Sequence, residues 1–470
     1  MLTRLVPRLF LPFLLLLLAA SAVARSPVYV VLWFDTEDYL DPIADDAALR
    51  IATDLTSLGV PGTFKVVGEK ARVLEARHRT DVIAALNRHA VGYHSNWHSV
   101  HPTPSEYLRW FGYLDGADEF QRREEAGVED IRRIFGVTPA CYGQPGDSWG
   151  PQSNLALRRM GIPVYLDEGD QVGLDDQPFW YDGILYVFHM GQNNFRAELD
   201  GGDEDPAAYR RFDDAVARLG AAGGGVISIY YHPTEFVHTE FWDGPNFSHG
   251  ANPPRSQWVL PKRRTPRDAE RCFHVLHAFV VHMKQAPGVE FVSALDLPRI
   301  VYPSVPTHAD QREIAEHLLR QIVFLRTDTM SLSPADMLIE LLGLDPQVVD
   351  GPTGEGITTW KSDTIPPLAF KAALGDATDF ITRNHRLPNE VFVGPETLSL
   401  KDFTATLAAA VLHQGGPIRV VHGEIGFDRY FSTDPRKSFD WVIHPADFAA
   451  PELLALGRLQ GWTLKPAVLR

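Results

Sequence analysis

What the 470-residue chain lacks narrows its class before any motif is read. It has only two cysteines, Cys141 and Cys272, too few for a disulfide scaffold. They either form one disulfide in an oxidising compartment or stay apart as buried thiols that behave like small hydrophobes. Positive charge is in short supply, with 44 Lys and Arg against 60 Asp and Glu and a net charge of −16. A balance of that sign argues against general affinity for nucleic acid or anionic lipid. The N-terminal apolar run is broken by Pro12 and falls short of the ~20 residues that a membrane-spanning helix needs. Hydrophobic residues make up 45% and charged residues 22%, which excludes a disordered, fibrous or multi-span membrane chain. At roughly 100–200 residues per domain, there is room for two to four ordinary cores.

Residues 1–24 read as a secretory signal, with Arg4 and Arg8 at the positive end, an apolar stretch over 9–20, and Ala22-Val23-Ala24 as a small-x-small cleavage site. A mature chain starting at Arg25 is expected to be secreted or periplasmic. No cysteine lies near the cleavage site to carry a lipid, so no stable membrane span or anchor is expected after processing.

From Pro27 to about Tyr302, short β-branched runs (28–34, 62–67, 163–166, 184–189, 226–231 and 289–293) alternate with helical patterns (47–58, 81–89, 116–135, 152–160, 206–222 and 266–285). Repeated strand–helix units predict a parallel sheet with right-handed crossovers, in the form of a distorted (β/α) barrel. Tyr302-Pro303-Ser304-Val305-Pro306 breaks the pattern, which places a boundary near 303. Residues 304–470 are expected to form an additional, mainly helical domain, with helical signals at 310–324, 333–342, 368–384 and 400–413 and no internal repeat.

In barrels of this kind chemistry sits where strands end. Phe34-Asp35-Thr36-Glu37-Asp38-Tyr39 puts three carboxylates at the end of the first apolar run. Residues two apart on a strand share a face, so Asp35 and Glu37 can enter one cleft together. Clustered acids call for a cation or a raised pKa to relieve repulsion, although an acidic turn capping the next helix gives the same pattern. His94-Ser95-Asn96-Trp97-His98 places two imidazoles four apart, a spacing that on a helical turn lets both bind one metal ion. His232, in Tyr230-Tyr231-His232-Pro233, is delivered by a strand that proline then stops. A histidine so placed can donate a proton to a leaving group near neutral pH. Asp167-Glu168-Gly169-Asp170 follows another strand, so an acid there can support the site. Asp200-Gly201-Gly202-Asp203-Glu204-Asp205 lacks the spacing of an EF-hand loop and reads as a solvated acidic loop.

These elements in this order resemble the polysaccharide deacetylase family, carbohydrate esterase family 4, over roughly residues 27–302. The acidic motif is similar to the family's Asp-x-Glu-Asp-Tyr form, and His94-Ser95-Asn96-Trp97-His98 to its His-Ser/Thr-x-x-His. The segment 59–68 resembles its second strand, and Tyr231-His232-Pro233-Thr234-Glu235 its His-Pro-x-Glu. The resemblance implies hydrolytic removal of acetyl groups, N- or O-linked, from an acetylated polysaccharide or cell-wall glycan. It implies Asp35 as general base, His232 as general acid, and a divalent metal, expected to be zinc, on Glu37, His94 and His98, with Asp38 as the alternative carboxylate ligand. Tyr142, Gln144 and Trp149 are the expected substrate-binding residues, with backbone amides near Tyr142 as an oxyanion site. One position departs from the family. Where its Arg-x-Pro segment carries an arginine that pairs with the catalytic Asp, this chain has Gly143. That departure keeps two further readings open, a catalytically impaired glycan-binding protein on the same fold and a hydrolase of a small non-sugar amide. Residues 387–394 and 400–403 resemble helical cell-wall-binding modules, so the second domain is expected either to bind a glycan or to pack on the barrel as a structural appendage.

Overall fold

The first strand shows why the sheet forms. In the computed structural model, which describes residues 27–327, 329–413 and 415–470, all nine residues of β1 (Val28–Thr36) are buried. A run of β-branched and aromatic residues covered on both faces is what a central parallel strand requires. β2 (Thr63–Val66) and β3 (Ala90–Tyr93) continue from one edge in parallel register. β3 is not among the strands expected from sequence, because Ala90-Val91-Gly92-Tyr93 is too short and glycine-broken to stand out. Next come β4 (Val164–Leu166), β5 (Phe179–Tyr181), β6 (Ile184–Val187), β7 (Gly225–Tyr231) and β8 (Val289–Val292). β7 runs beside β1 from Val28 to Phe34, and β8 pairs with Val28–Val31, both in parallel. β4 and β6 are parallel, while β5 is antiparallel to β6. Single bridges carry the pairing onward where regular strands fail: Tyr93 to Tyr142 to Tyr165, and Asn194 to Ser228. The expected α/β class with a parallel sheet and a distorted barrel form is the observed one.

Helices cover the outside. Helix Pro42–Leu58 starts at Asp41, whose side chain accepts from the Ile43 amide, and stops at Gly59 with φ 64°, a left-handed turn that glycine adopts freely. Helix Tyr113–Phe135 buries Gly116, Ala117, Phe120, Glu124, Gly127, Val128, Ile131 and Phe135 on one stripe, the i, i+3, i+4 spacing of a helix facing a core. Its one buried acid, Glu124, accepts from Tyr93 Oη at 2.6 Å and from the Asn96 amide at 2.8 Å.

Beyond residue 303 the main regular elements are the helices Gln311–Arg320, Pro334–Leu341, Pro367–Asn384, Leu400–Leu412 and Pro451–Gln460; short hairpins join the first to the second and the third to the fourth, and long irregular segments make the other connections. Most of this region's buried apolar residues belong to the same continuous core as the barrel's, while Ala467 and Ile443 join two smaller clusters. The last strand, Lys465–Pro466, pairs antiparallel with β5. Cys141 and Cys272 are both buried free thiols, the second of the two alternatives. Among the described residues no helix is long and apolar enough to cross a membrane. The expected signal segment 1–24 lies outside the described residues.

Candidate active site

The parallel strands end on one side of the sheet, and the polar residues that follow them meet in a cleft of ≈ 280 Å³. Asp35, the penultimate residue of β1, and Glu37, just past its end, are 4% exposed. Glu37 Oε1 accepts from the buried Trp242 Nε1 at 3.2 Å. That contact turns Oε2 toward the histidines, 3.5 Å from His94 Nε2 and 2.9 Å from His98 Nε2. Trp242 is fully buried, so its indole holds the carboxylate and offers no face to the cleft.

His94 and His98 come together, but not on a helix. Residues 94–98 form a loop after β3 in which Ser95 and His98 take φ of 62° and 56°, values that non-glycine residues adopt only under constraint. The constraint is visible. Helix Gly68–Ala76 points its first amides at the loop, Gly68 N donating to Ser95 O and Glu69 N to Asn96 O, which satisfies donors that a helix start leaves orphaned. Glu124 takes the Asn96 amide, and Ser95 Oγ accepts from His98 N at 3.0 Å.

Each imidazole is oriented through Nδ1. His94 Nδ1 faces Gly143 O at 3.0 Å, and His98 Nδ1 faces Ser99 Oγ at 2.6 Å, while Ser99 Oγ donates to Asp243 Oδ2 at 3.1 Å. Both Nε2 atoms are thereby left for the cleft. His98 Nε2, although 2.9 Å from Glu37 Oε2, is buried without a well-directed hydrogen bond, and one ligand atom each from Glu37, His94 and His98 lie within 4.8 Å of one another. Burial opposes ionisation of Glu37, yet His98 and His232 hold its carboxyl well below the usual range. Burial likewise opposes charge on His98, but Glu37 raises its pKa. Two imidazoles and a carboxylate with inward-facing donor atoms are a donor set that fits a divalent metal ion.

Asp38, the alternative ligand, is turned away. Its Oδ1 caps the amides of Leu40 and Asp41, and its Oδ2 accepts from Thr234 Oγ1, so it braces the loop rather than entering the cleft.

His232 follows β7, with Nε2 3.6 Å from Asp35 Oδ2. Its Nδ1 is held by Glu235 Oε1 at 2.7 Å, and Glu235 by Arg196. Burial works against the imidazolium, but Glu37, Glu235 and Asp35 push its pKa up to about 9. Asp35 is buried too, yet His94, Lys65 and His232 lower its pKa. One group is thus held protonated and its neighbour ionised, the pairing that acid–base chemistry needs.

The expected substrate residues divide. Gln144 lines the cleft; Tyr165 Oη donates to its Oε1 at 2.8 Å, and its buried Nε2 has no partner. Tyr142 and Trp149 do not line it. Tyr142 is packed edge-on against Phe120 and Tyr165, and Trp149 is fully buried beneath the C-terminal helix at Gly457. Nor are the amides here free for an oxyanion, since Tyr142 N donates to Val164 O and Gly143 N to Tyr93 O.

Sequence reasoning missed four contributors. Lys437, Asp440 and Trp441 of the C-terminal region wall one side of the cleft, with Trp441 N donating to Asp147 Oδ2 and its Nε1 to Asp243 Oδ2. No motif surrounds them. Burial and the Asp440 carboxylate push Asp147 up to about 8, and burial does the same to Glu168. The fourth is Lys65, whose Nζ lies 2.9 Å from Asp35 Oδ1 and 2.8 Å from Asp167 Oδ2.

No protein-family model matches the sequence, and no curated protein is significantly similar to it. Solved structures do show a likeness. A putative polysaccharide deacetylase from Mycobacterium smegmatis is 17% identical over 58% of this chain and 90% of that one, with a TM-score of 0.38. A probable polysaccharide deacetylase from Pseudomonas aeruginosa PAO1 is 13% identical over 58% and 91%, with a TM-score of 0.37. A family 4 acetyl xylan esterase from Clostridium thermocellum, in complex with a cobalt ion, is 16% identical over 58% and 90%, with a TM-score of 0.28. The chain is thus similar in structure, at low identity, to members of the family that its motifs resemble.

Proposed function

We propose that this protein is a metal-dependent hydrolase that removes acetyl groups from an acetylated carbohydrate outside the cytoplasm. The observation that carries the reading is the convergence, in one cleft, of a two-His–one-carboxylate donor set with an ionised acid, Asp35, and a protonated histidine, His232. Glu37, His94 and His98 would hold the ion, with zinc the metal best suited to that donor set. Bound there, the ion supplies Lewis-acid polarisation of the acyl carbonyl and a more acidic water.

The chain's own residues do the rest. Asp35 takes a proton from the attacking water, because its carboxylate is kept ionised beside the cleft. His232 gives its Nε2 proton to the departing amine or alkoxide as the tetrahedral intermediate collapses, with Glu235 keeping the ring turned inward. Gln144 Nε2 is the unpartnered donor available to a substrate oxygen. The N-terminal segment 1–24 supports an extracytoplasmic site of action.

A second reading, hydrolysis of a small non-sugar amide, is favoured by one observation. The cleft, ≈ 280 Å³, is at the bottom of the ~300–1,000 Å³ range of ligand pockets. The test is metal content and acetate release, measured for the wild type and His98→Ala on acetylated xylan, an N-acetylglucosamine oligomer and a small acetamide. About one divalent ion per chain, lost with turnover in the variant, is expected. Full activity in the variant would remove the metal-hydrolase reading, and turnover of the small amide alone would establish the second.

A further inference from the structure

The parallel register sets Lys65 beside Asp35 on one side and beside Gly92 on the other. The lysine side chain runs over Gly92, where an added Cβ would come within 3.0 Å of Lys65 Cγ and would overlap Cys141 Sγ. It ends against Gly143, where a Cβ would overlap the ammonium and the Asp167 carboxylate and sit 2.8 Å from Lys65 Cδ. The two glycines thus leave a channel that the lysine fills. Lys65 is fully buried, with its Nζ 4.1 Å from the centre of the Trp33 ring. Its pKa is raised despite burial, because Asp167 and Asp35 face it, so it remains an ammonium.

We propose that Lys65 is the positioning residue that aims the catalytic carboxylate of Asp35, reaching it from the neighbouring strand through the space that Gly92 and Gly143 leave open; the inference rests on the hydrolytic reading above. Lys65 pairs by charge with Asp35 Oδ1 at 2.9 Å, an oxygen buried without a directed hydrogen bond, and Oδ2 is turned toward His232. Asp167 holds the ammonium from the far side, and its own Oδ1 is fixed by the Glu168 amide at 2.8 Å. A buried acid–lysine–acid triad is a poor stability device, because desolvation offsets the attraction. A fixed orientation for the acid is what it does supply. Glycine at 143, where the family resembled carries an arginine, is then a requirement of the lysine rather than a loss.

The test uses the full chain in four variants: Lys65→Met, Lys65→Met with Asp167→Asn, Gly143→Ala, and Gly143→Ala with Lys65→Met. The variant with Asp167→Asn restores the charge balance that Lys65→Met alone upsets, so it should fold even if the single one does not. Lys65→Met, with or without Asp167→Asn, is expected to retain the metal and a KM within about threefold of wild type, with kcat lower by at least about 100-fold. Gly143→Ala should slow the wild type but add nothing further in the Lys65→Met background, since the two residues act as a unit. If charge balance were the only role, the variant with Asp167→Asn would regain wild-type kcat, and that result would overturn the proposal. So would additive effects of Gly143→Ala and Lys65→Met. The two failures are distinguishable: a wild type that releases no acetate removes the hydrolytic reading and Lys65's role with it, whereas an active wild type with unimpaired Lys65 variants removes the role alone.

Discussion

Ser99 shows how a residue outside the cleft sets what the cleft can bind. Its hydroxyl donates to Asp243 and therefore accepts from His98 Nδ1, which leaves the bare lone pair on Nε2, the atom facing Glu37. A ligand imidazole that loses the acceptor for its other N–H loses both tautomer and ring orientation. Ser99→Ala is therefore expected to weaken metal binding by about tenfold or more, with little change in kcat once metal is saturating. Competition against a chelator of known affinity measures it, and an unchanged dissociation constant would mean that the relay is idle. At this scale the sequence was legible where chemistry restricts residue type and spacing. Asp35, Glu37, His94, His98 and His232 could be singled out because few residue types bind metals or move protons, and the structure brings all five to one cleft. Lys65 was not legible, since a lysine within a strand is ordinarily an outward, solvated residue. Only the register that sets it beside Asp35 and Gly92 shows otherwise. Asp38 and Trp149 carried the right residue types, but local caps and core packing claimed them.

The element that fixes the histidine loop carries a measurable cost. Helix Tyr113–Phe135 presents Glu124 to Tyr93 and to the Asn96 amide; burial pushes its pKa up to about 7 from an ordinary 4.5, against the pull of those donors. Between those two values the folded chain keeps a proton that the unfolded chain releases, so stability falls as pH rises through that window and levels off above it. The effect of this one group is at most about 3 kcal/mol. Glu124→Gln keeps an acceptor for Tyr93 and Asn96 without the charge. Its Tm should fall less than that of wild type between pH 5 and pH 8, and should be the higher of the two at pH 8. Parallel Tm curves for the two proteins would show that Glu124 titrates normally. The strands and helices themselves were readable from period and composition, as Pro206–Ala221 and Pro266–Gln285 show. The His94–His98 turn was not helical as its spacing suggested, because helix Gly68–Ala76, docking from another part of the chain, imposes the loop.

Across the whole molecule the composition break at 302–306 changes the style of the chain without ending its packing. Lys465–Pro466 completes the edge of β5, Tyr181 Oη donates to Gly457 O at 2.7 Å, and the Asp182 amide donates to Thr463 Oγ1 at 2.8 Å. Trp462 and Leu464 share one core with Trp149 and Tyr181, and Phe431 lies 5.9 Å from the Tyr181 ring. The tail returns further still, with Tyr302 N donating to Val468 O and Arg470 N to Ile300 O. None of this was visible in sequence, because pairing between residues nearly 300 apart leaves no periodic trace. A barrel without residues 304–470 would expose the β5 edge and uncover Trp149 and Tyr181, the combination of open strand edge and apolar patch that drives aggregation. It would also lose the Trp441 wall of the cleft. The intact chain should therefore unfold in one calorimetric transition, and a chain truncated after Pro303 should be insoluble or melt far lower. Two resolved transitions in the intact protein, or a soluble truncated barrel with the wild-type Tm, would mean that the C-terminal region is a separate domain resting on the barrel and that the contacts at β5 contribute little.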